Sequence, residues 1–150
     1  MSQKIVFMGT PEFSVPTLES LVNSDHKILA VYSQPASRAN RGQKIIPSSI
    51  ETFAKEKSLS IRTPAKLDTD EEYNFLKNLK PDIVIVIAYG RVIPKRFLGL
   101  AKYGFINVHA SLLPKWRGAA PIQRSIMNLD SETGISIMKI VEELDAGPIM

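Results

Sequence analysis

Three residues with the means for group-transfer chemistry fall at strand-compatible positions. In Phe105-Ile106-Asn107-Val108-His109 the side chains of Asn107 and His109 are two apart, so on a β-strand they face the same side and point together to the strand's end. A carboxylate, Asp145, follows in Glu142-Glu143-Leu144-Asp145-Ala146-Gly147, after another apolar run. An amide, an imidazole and a carboxylate meeting at strand ends would suit acyl transfer or hydrolysis. The amide can donate to a developing oxyanion. The imidazole can share that task and shuttle a proton from an amine. The carboxylate would orient and charge-stabilise the imidazole. The same residues have plainer uses. An Asn or His at a strand end often satisfies a local polar group, and an Asp before a small-residue turn is a common turn former. His26, the other histidine, sits in a polar turn before a strand and is given no role. With no cysteine in the chain, disulfides, thiolate catalysis and cysteine zinc sites are excluded.

Alternating strands and helices must hold these residues. Ile5–Met8 ends at Gly9 and reads as a buried first strand; Ile28–Tyr32 reads as a second, and a third is expected near Ser60–Arg62. Ile83-Val84-Ile85-Val86-Ile87 is β-branched throughout, without polar alternation, which implies burial on both faces in the middle of a parallel sheet. Phe105–Val108 and Gly134–Met138 supply two more strands. Between them, helical spacing places Leu18, Leu21 and Val22 on one face, Ile50, Phe53 and Ala54 on another, and Tyr73, Leu76 and Leu79 on a third. Ser14 is expected to cap the first helix with Pro16 in its first turn, and a last helix is expected around Pro121–Asn128. This repetition predicts an α/β fold with a doubly wound, mostly parallel sheet.

Ligands in such sheets bind beyond the carboxyl ends of the strands, where two further loops stand out. Gly9-Thr10-Pro11-Glu12-Phe13 could cradle a phosphate at a helix start, or Gly9 could simply be a turn glycine. The spaced glycines of dinucleotide sites and the P-loop are both missing, which disfavours a nicotinamide enzyme. The stretch Ser33–Ser48 carries Arg38, Arg41 and Lys44 and no acid. Its prolines and small polar residues argue against regular structure, leaving either a solvated surface loop or a basic arm for RNA phosphates.

At 150 residues the chain suits one domain with a real core. The net charge of +4 leans towards anionic partners, most meaningfully where the charge clusters. No apolar run approaches a membrane span, and the first residues lack a signal-peptide layout, so no membrane association and a cytoplasmic protein are expected.

Three segments resemble the methionyl-tRNA formyltransferase family: MGTPEF at Met8–Phe13, N-V-H-x-S-L-L-P-x-x-R-G-A-A-P-I from Asn107 to Ile122, and E-L-D-A-G-P from Glu143 to Pro148. The resemblance runs in order along essentially the whole chain. The run from Asn107 is specific for formyltetrahydrofolate-dependent transferases in general, whereas MGTPEF and the Gln34-Pro35 start of the basic stretch narrow it to the tRNA branch.

The resemblance implies a Rossmann-like formyltransferase fold and transfer of the formyl group of 10-formyltetrahydrofolate to the α-amino group of methionine on initiator tRNA. It implies that Asn107, His109 and Asp145 are the catalytic trio and that Ser111, Leu112, Leu113 and Pro114 contact folate. Ala88, Tyr89 and Gly90, with the Val141–Leu144 loop, are expected to wall the pterin pocket. Arg38, Arg41 and Lys44 are expected to meet RNA, Arg41 being the best-matched. No metal is implied, and a monomer is expected. Residues 1–150 would be the family's N-terminal catalytic domain, incomplete at its C-terminal end and without the tRNA-binding barrel domain. Two other readings stay open: a formyltransferase for a small amine, or the related formyl-folate hydrolase, and a non-catalytic folate- or RNA-binding remnant.

Overall fold

The computed structural model describes residues 1–39 and 42–150. The apolar runs become β1 (Lys4–Gly9) and β2 (Lys27–Tyr32), followed by the short β3 (Ser37–Ala39) and β4 (Lys44–Ile46), then β5 (Ile61–Arg62), β6 (Ile83–Ile87), β7 (Phe105–His109) and β8 (Ser136–Lys139). Six of them form one sheet in the order β5-β2-β1-β6-β7-β8. All pairings in it are parallel except β7 with β8. Chain order reverses between β1 and β6, the switch point at which open α/β sheets bind ligands.

Helices cover both faces. α1 (Val15–Val22) and α2 (Ser49–Glu56) bring Leu18, Ile50, Phe53 and Ala54 onto Phe7, Val31 and Ile87. On the other face α3 (Asp70–Leu79) and the short 3-10 turn Lys95–Phe97 bring Leu76 and Phe97 onto Val6, Met8, Val84, Val86 and Phe105. Neighbouring residues of β1 thus enter opposite layers, and the strand is buried on both sides, as the unbroken apolar runs predict. α4 (Pro121–Met127) follows β7. Among the described residues no helix is long and apolar enough to cross a membrane.

Two local expectations need correction. Ser14 does not cap α1: its backbone is already helical, and its hydroxyl donates to the Pro11 carbonyl at 2.6 Å. The reason is the 3-10 turn Glu12–Ser14, which supplies the helix entry before Ser14 is reached. Pro16 does lie in the first turn. The side-chain caps fall elsewhere, with Ser48 accepting from the Glu51 N–H on α2 and Thr69 from the Glu72 N–H on α3.

The basic stretch is not wholly irregular. β3 and β4 pair as an antiparallel hairpin, with Arg38 opposite Ile45 and Ala39 opposite Lys44. Pro35 and Pro47 lie outside both strands, so their missing N–H groups interrupt no pairing. Arg38 and Lys44 project from this hairpin into solvent, while Arg41 lies outside the described residues.

Candidate active site

Beyond the carboxyl ends of β1, β6 and β7 lies a cavity of about 790 Å³, within the range of small-molecule sites. Its walls include Ala88, Tyr89 and Gly90 on one side, the loop through Val141 and Leu144 on another, and Asn107, His109 and Asp145. The first wall is a turn in which Ala88 and Gly90 take left-handed backbone, with φ of 47° and 82°. It is clasped from outside. The Thr10 hydroxyl donates to the Tyr89 carbonyl at 2.8 Å, and the Gln34 amide donates to the Tyr89 and Gly90 carbonyls, each at 3.1 Å. A Cβ on residue 90 would overlap the Gln34 amide nitrogen and displace it, and the positive φ itself favours glycine there. Tyr89 itself is buried, and desolvation pushes its phenol up to about 12.

Strand β7 carries Asn107 and His109 to the cavity's floor, its register fixed by pairing with β6 and β8. His109 is only 7% exposed. Its Nε2 lies 2.8 Å from the Trp116 carbonyl oxygen. A carbonyl can only accept, so Nε2 carries the ring's hydrogen when His109 is neutral. Nδ1 then faces Asp145, whose Oδ2 is 3.8 Å away and accepts the Gly118 N–H at 2.7 Å. At 3.8 Å the pair is too far apart for a hydrogen bond but close enough to interact as charges once the imidazole is protonated.

Asp145 sits in a turn at φ 49°, held on its C-terminal side. The residues after it run back along β8, with Lys139 N–H donating to the Pro148 carbonyl and Met150 N–H to the Ile137 carbonyl. Gly147 passes so close to Lys139 that an added Cβ would overlap its carbonyl.

Ser111–Pro114 do not line this cavity. Ser111 is buried and donates to the Lys115 carbonyl, while Ser136 of β8 donates to the Ser111 carbonyl and accepts the Leu113 N–H. Leu112 is exposed and packs over Gly134, and Leu113 and Pro114 edge a shallower depression of about 200 Å³ on which Asp145 and Arg117 also border. The segment therefore anchors the loop that carries Trp116 and Gly118. His26 accepts the Gln3 N–H at the opposite, amino end of the strands. Arg38 and Lys44 also lie off the cavity walls, on the hairpin that Gln34 leads into.

Sequence reasoning missed Trp116, Gly118, Gln34 and Thr10 as positioning groups. Trp116 and Gly118 act through their own backbone atoms, for which residue type gives no signal, and Thr10 and Gln34 through side chains that grip backbone carbonyls. Gly118 stood inside the motif that flagged the region.

An amide, an imidazole and a carboxylate around one cavity at a switch point define a site suited to acyl-group chemistry on a Rossmann-like sheet. The chain belongs to the Formyl transferase family, whose sequence profile matches residues 3–150. It is 62% identical to the methionyl-tRNA formyltransferase of Pelagibacter ubique (strain HTCC1062), over 99% of this chain and 48% of that protein. It is 49% identical to that of Coxiella burnetii (strain RSA 331 / Henzerling II), over 100% of this chain and 48% of that protein. The chain thus spans about half the length of the curated relatives it matches. Among solved structures it resembles phosphoribosylglycinamide formyltransferase from Anaplasma phagocytophilum, with a TM-score of 0.77 at 22% identity, covering 99% of this chain and 70% of that one. It also resembles a formyltetrahydrofolate deformylase from Pseudomonas syringae, with a TM-score of 0.75 at 21% identity, covering 99% of this chain and 49% of that one. At such identities these structures speak for the fold alone.

Proposed function

We propose that this chain is the N-terminal catalytic domain of a methionyl-tRNA formyltransferase, transferring the formyl group of 10-formyltetrahydrofolate to the α-amino group of methionine on initiator tRNA. The observation that carries the reading is the meeting of Asn107, His109 and Asp145 on one cavity large enough for a pterin and its attached ring. The walls at Ala88-Tyr89-Gly90 and Val141–Leu144 would hold the folate. Leu113 and Pro114, bordering Asp145 from the other side, would meet the part of the substrates nearest the transferred carbon.

The site's own groups then have distinct tasks. As the amine bonds to the formyl carbon, the carbonyl oxygen gains charge, and the Asn107 amide donates to it. His109 shares its Nε2 hydrogen with that oxygen, turning part of the way from the Trp116 carbonyl. The proton lost by the amine passes to Nδ1, directly or through water, and from there to the departing folate nitrogen. While protonated, the ring keeps the Trp116 carbonyl as acceptor at Nε2 and has the Asp145 carboxylate 3.8 Å from Nδ1 as a countercharge.

The exposed basic hairpin favours tRNA over a small amine. Arg38 and Lys44 offer two cations that a compact substrate inside the cavity would not reach, and Arg41 in the same stretch is proposed as a third RNA contact.

The test is formyl transfer from 10-formyltetrahydrofolate to charged initiator tRNA, comparing the chain with His109→Ala. Loss of about 100-fold or more in kcat, with folate binding retained, is expected. Turnover that survives the substitution would rule out this role for His109.

A further inference from the structure

One half-buried aspartate near the site has no task in the reaction above. Asp130 lies three residues beyond α4, outside the cavity lining, with its side chain only 7% exposed. Its carboxylate accepts from the Trp116 indole Nε1–H at 2.7 Å, from the Asn128 amide at 2.7 Å and from the Lys115 ammonium at 3.3 Å. These donors, led by Asn128 and Trp116, hold its carboxyl below the usual range. Its own N–H donates to the Ser125 carbonyl, so it is fixed to α4. Both Trp116 and Leu129, next to Asp130, take left-handed backbone, with φ of 56° and 55°, a conformation that non-glycine residues hold only when surrounding contacts fix it.

The carbonyl of Trp116 is the one that meets His109 Nε2 at 2.8 Å. Indole and carbonyl belong to one residue, so holding the first holds the second. We propose that Asp130 is a positioning residue: through the Trp116 indole it fixes the Trp116 carbonyl on His109 Nε2, selecting the imidazole tautomer that leaves Nδ1 facing Asp145. Its effect on rate rests on the formyl-transfer reading, whereas its effect on the imidazole does not. Outer groups that orient a histidine commonly change function by about 10- to 100-fold.

The chain has a single tryptophan, so one indole N–H resonance reports the first link, and the ¹⁵N shifts of His109 report the last. In Asp130→Ala the indole resonance should move and the His109 shifts should change from an Nε2–H ring to a mixture of tautomers. The kcat for formyl transfer should fall at least about 10-fold, with KM for the formyl donor within about 2-fold. Asp130→Asn keeps an oxygen for the indole and should restore most of kcat. In a Trp116→Phe background, Asp130→Ala should add less than about 2-fold, because the two act in series. The idea is overturned if Asp130→Ala moves the indole but not the His109 shifts, or if its cost in kcat is the same with and without the indole. Should Asp130→Ala fail to fold, Trp116→Phe alone must reproduce the kcat loss and the tautomer change, and unchanged His109 shifts there overturn the proposal. A chain with no formyl transfer at all would sink the proposed function, yet the His109 shifts would still decide the role of Asp130.

Discussion

At the scale of single residues, Asp145 combines two tasks that substitution can separate. It accepts the Gly118 N–H, which shapes the loop, and its charge faces His109 Nδ1 at 3.8 Å. At an effective dielectric of about 20, a carboxylate and an imidazolium at that distance attract by roughly 4 kcal/mol before any desolvation is counted. Asn tolerates the left-handed backbone that Asp145 adopts and keeps an acceptor for Gly118. Asp145→Asn is therefore expected to lower kcat by about 10²- to 10³-fold while changing stability by less than about 1 kcal/mol. Steady-state kinetics beside thermal melts would check this, and an equal fall in both would assign Asp145 to loop structure alone. Asn107 and His109 were legible because a strand's period of two needs only residue spacing to predict a shared face. Trp116 and Asp130 were not, because their link to His109 runs through a carbonyl that every residue owns.

Elements explain why the cavity's wall and the basic hairpin belong together. Gln34 ends the run out of β2, clasps the Tyr89 and Gly90 carbonyls, and leads directly into β3. Replacing Gly90 by Ala would oppose its positive φ and drive the Gln34 amide away, opening that wall. Gly90→Ala should weaken binding of a folate analogue by about 10-fold and cost about 1–2 kcal/mol of stability. Isothermal titration and urea unfolding measure the two, and unaltered affinity would remove the clasp from any role in the pocket. The hairpin makes a different forecast. Substituting Arg38 and Lys44 together by Ala should weaken tRNA binding and reduce the slope of log affinity against log salt by about 1.5, leaving folate affinity unchanged. A slope equal to the parent's would mean these cations touch no phosphate. The hairpin escaped the sequence reading because its three-residue strands are solvated, so no apolar alternation marks them. The central strands carried the opposite signal, burial on both faces, and were legible almost to the residue.

For the whole molecule, the weak place is the sheet's edge at β5, only two residues long. It is held by a polar cluster buried against α3. Arg62 of β5 grips Glu72 with two hydrogen bonds, at 2.8 and 2.7 Å, and stacks 4.0 Å above the Phe75 ring. Tyr32 of β2 donates to the same carboxylate at 2.8 Å. Burial alone would raise the Glu72 carboxyl, but the hydrogen bonds from Arg62 and Tyr32 outweigh it and hold the group below the ordinary carboxylate range. Arg62 is held still more firmly protonated by Glu72, and burial keeps the Tyr32 phenol neutral, so among Tyr32, Arg62 and Glu72 it is the Glu72 carboxyl that titrates in acid. A group bound more weakly to protons when folded adds stability above its unfolded value of about 4.3 and loses it as pH falls through its folded one. Glu72→Gln leaves Arg62 facing a neutral amide, with only the exposed Glu71 carboxylate still beside it at 3.2 Å, and should cost about 3 kcal/mol at pH 7 in urea unfolding. The gap between parent and variant should then narrow steadily below about pH 4, because protonation brings the parent to the variant's state. A gap that stays constant down to about pH 2.5 would show that Glu72 stabilises β5 by packing rather than by charge. Such a result would move the origin of the edge's stability to the Arg62–Phe75 stack, which is indifferent to pH in this range.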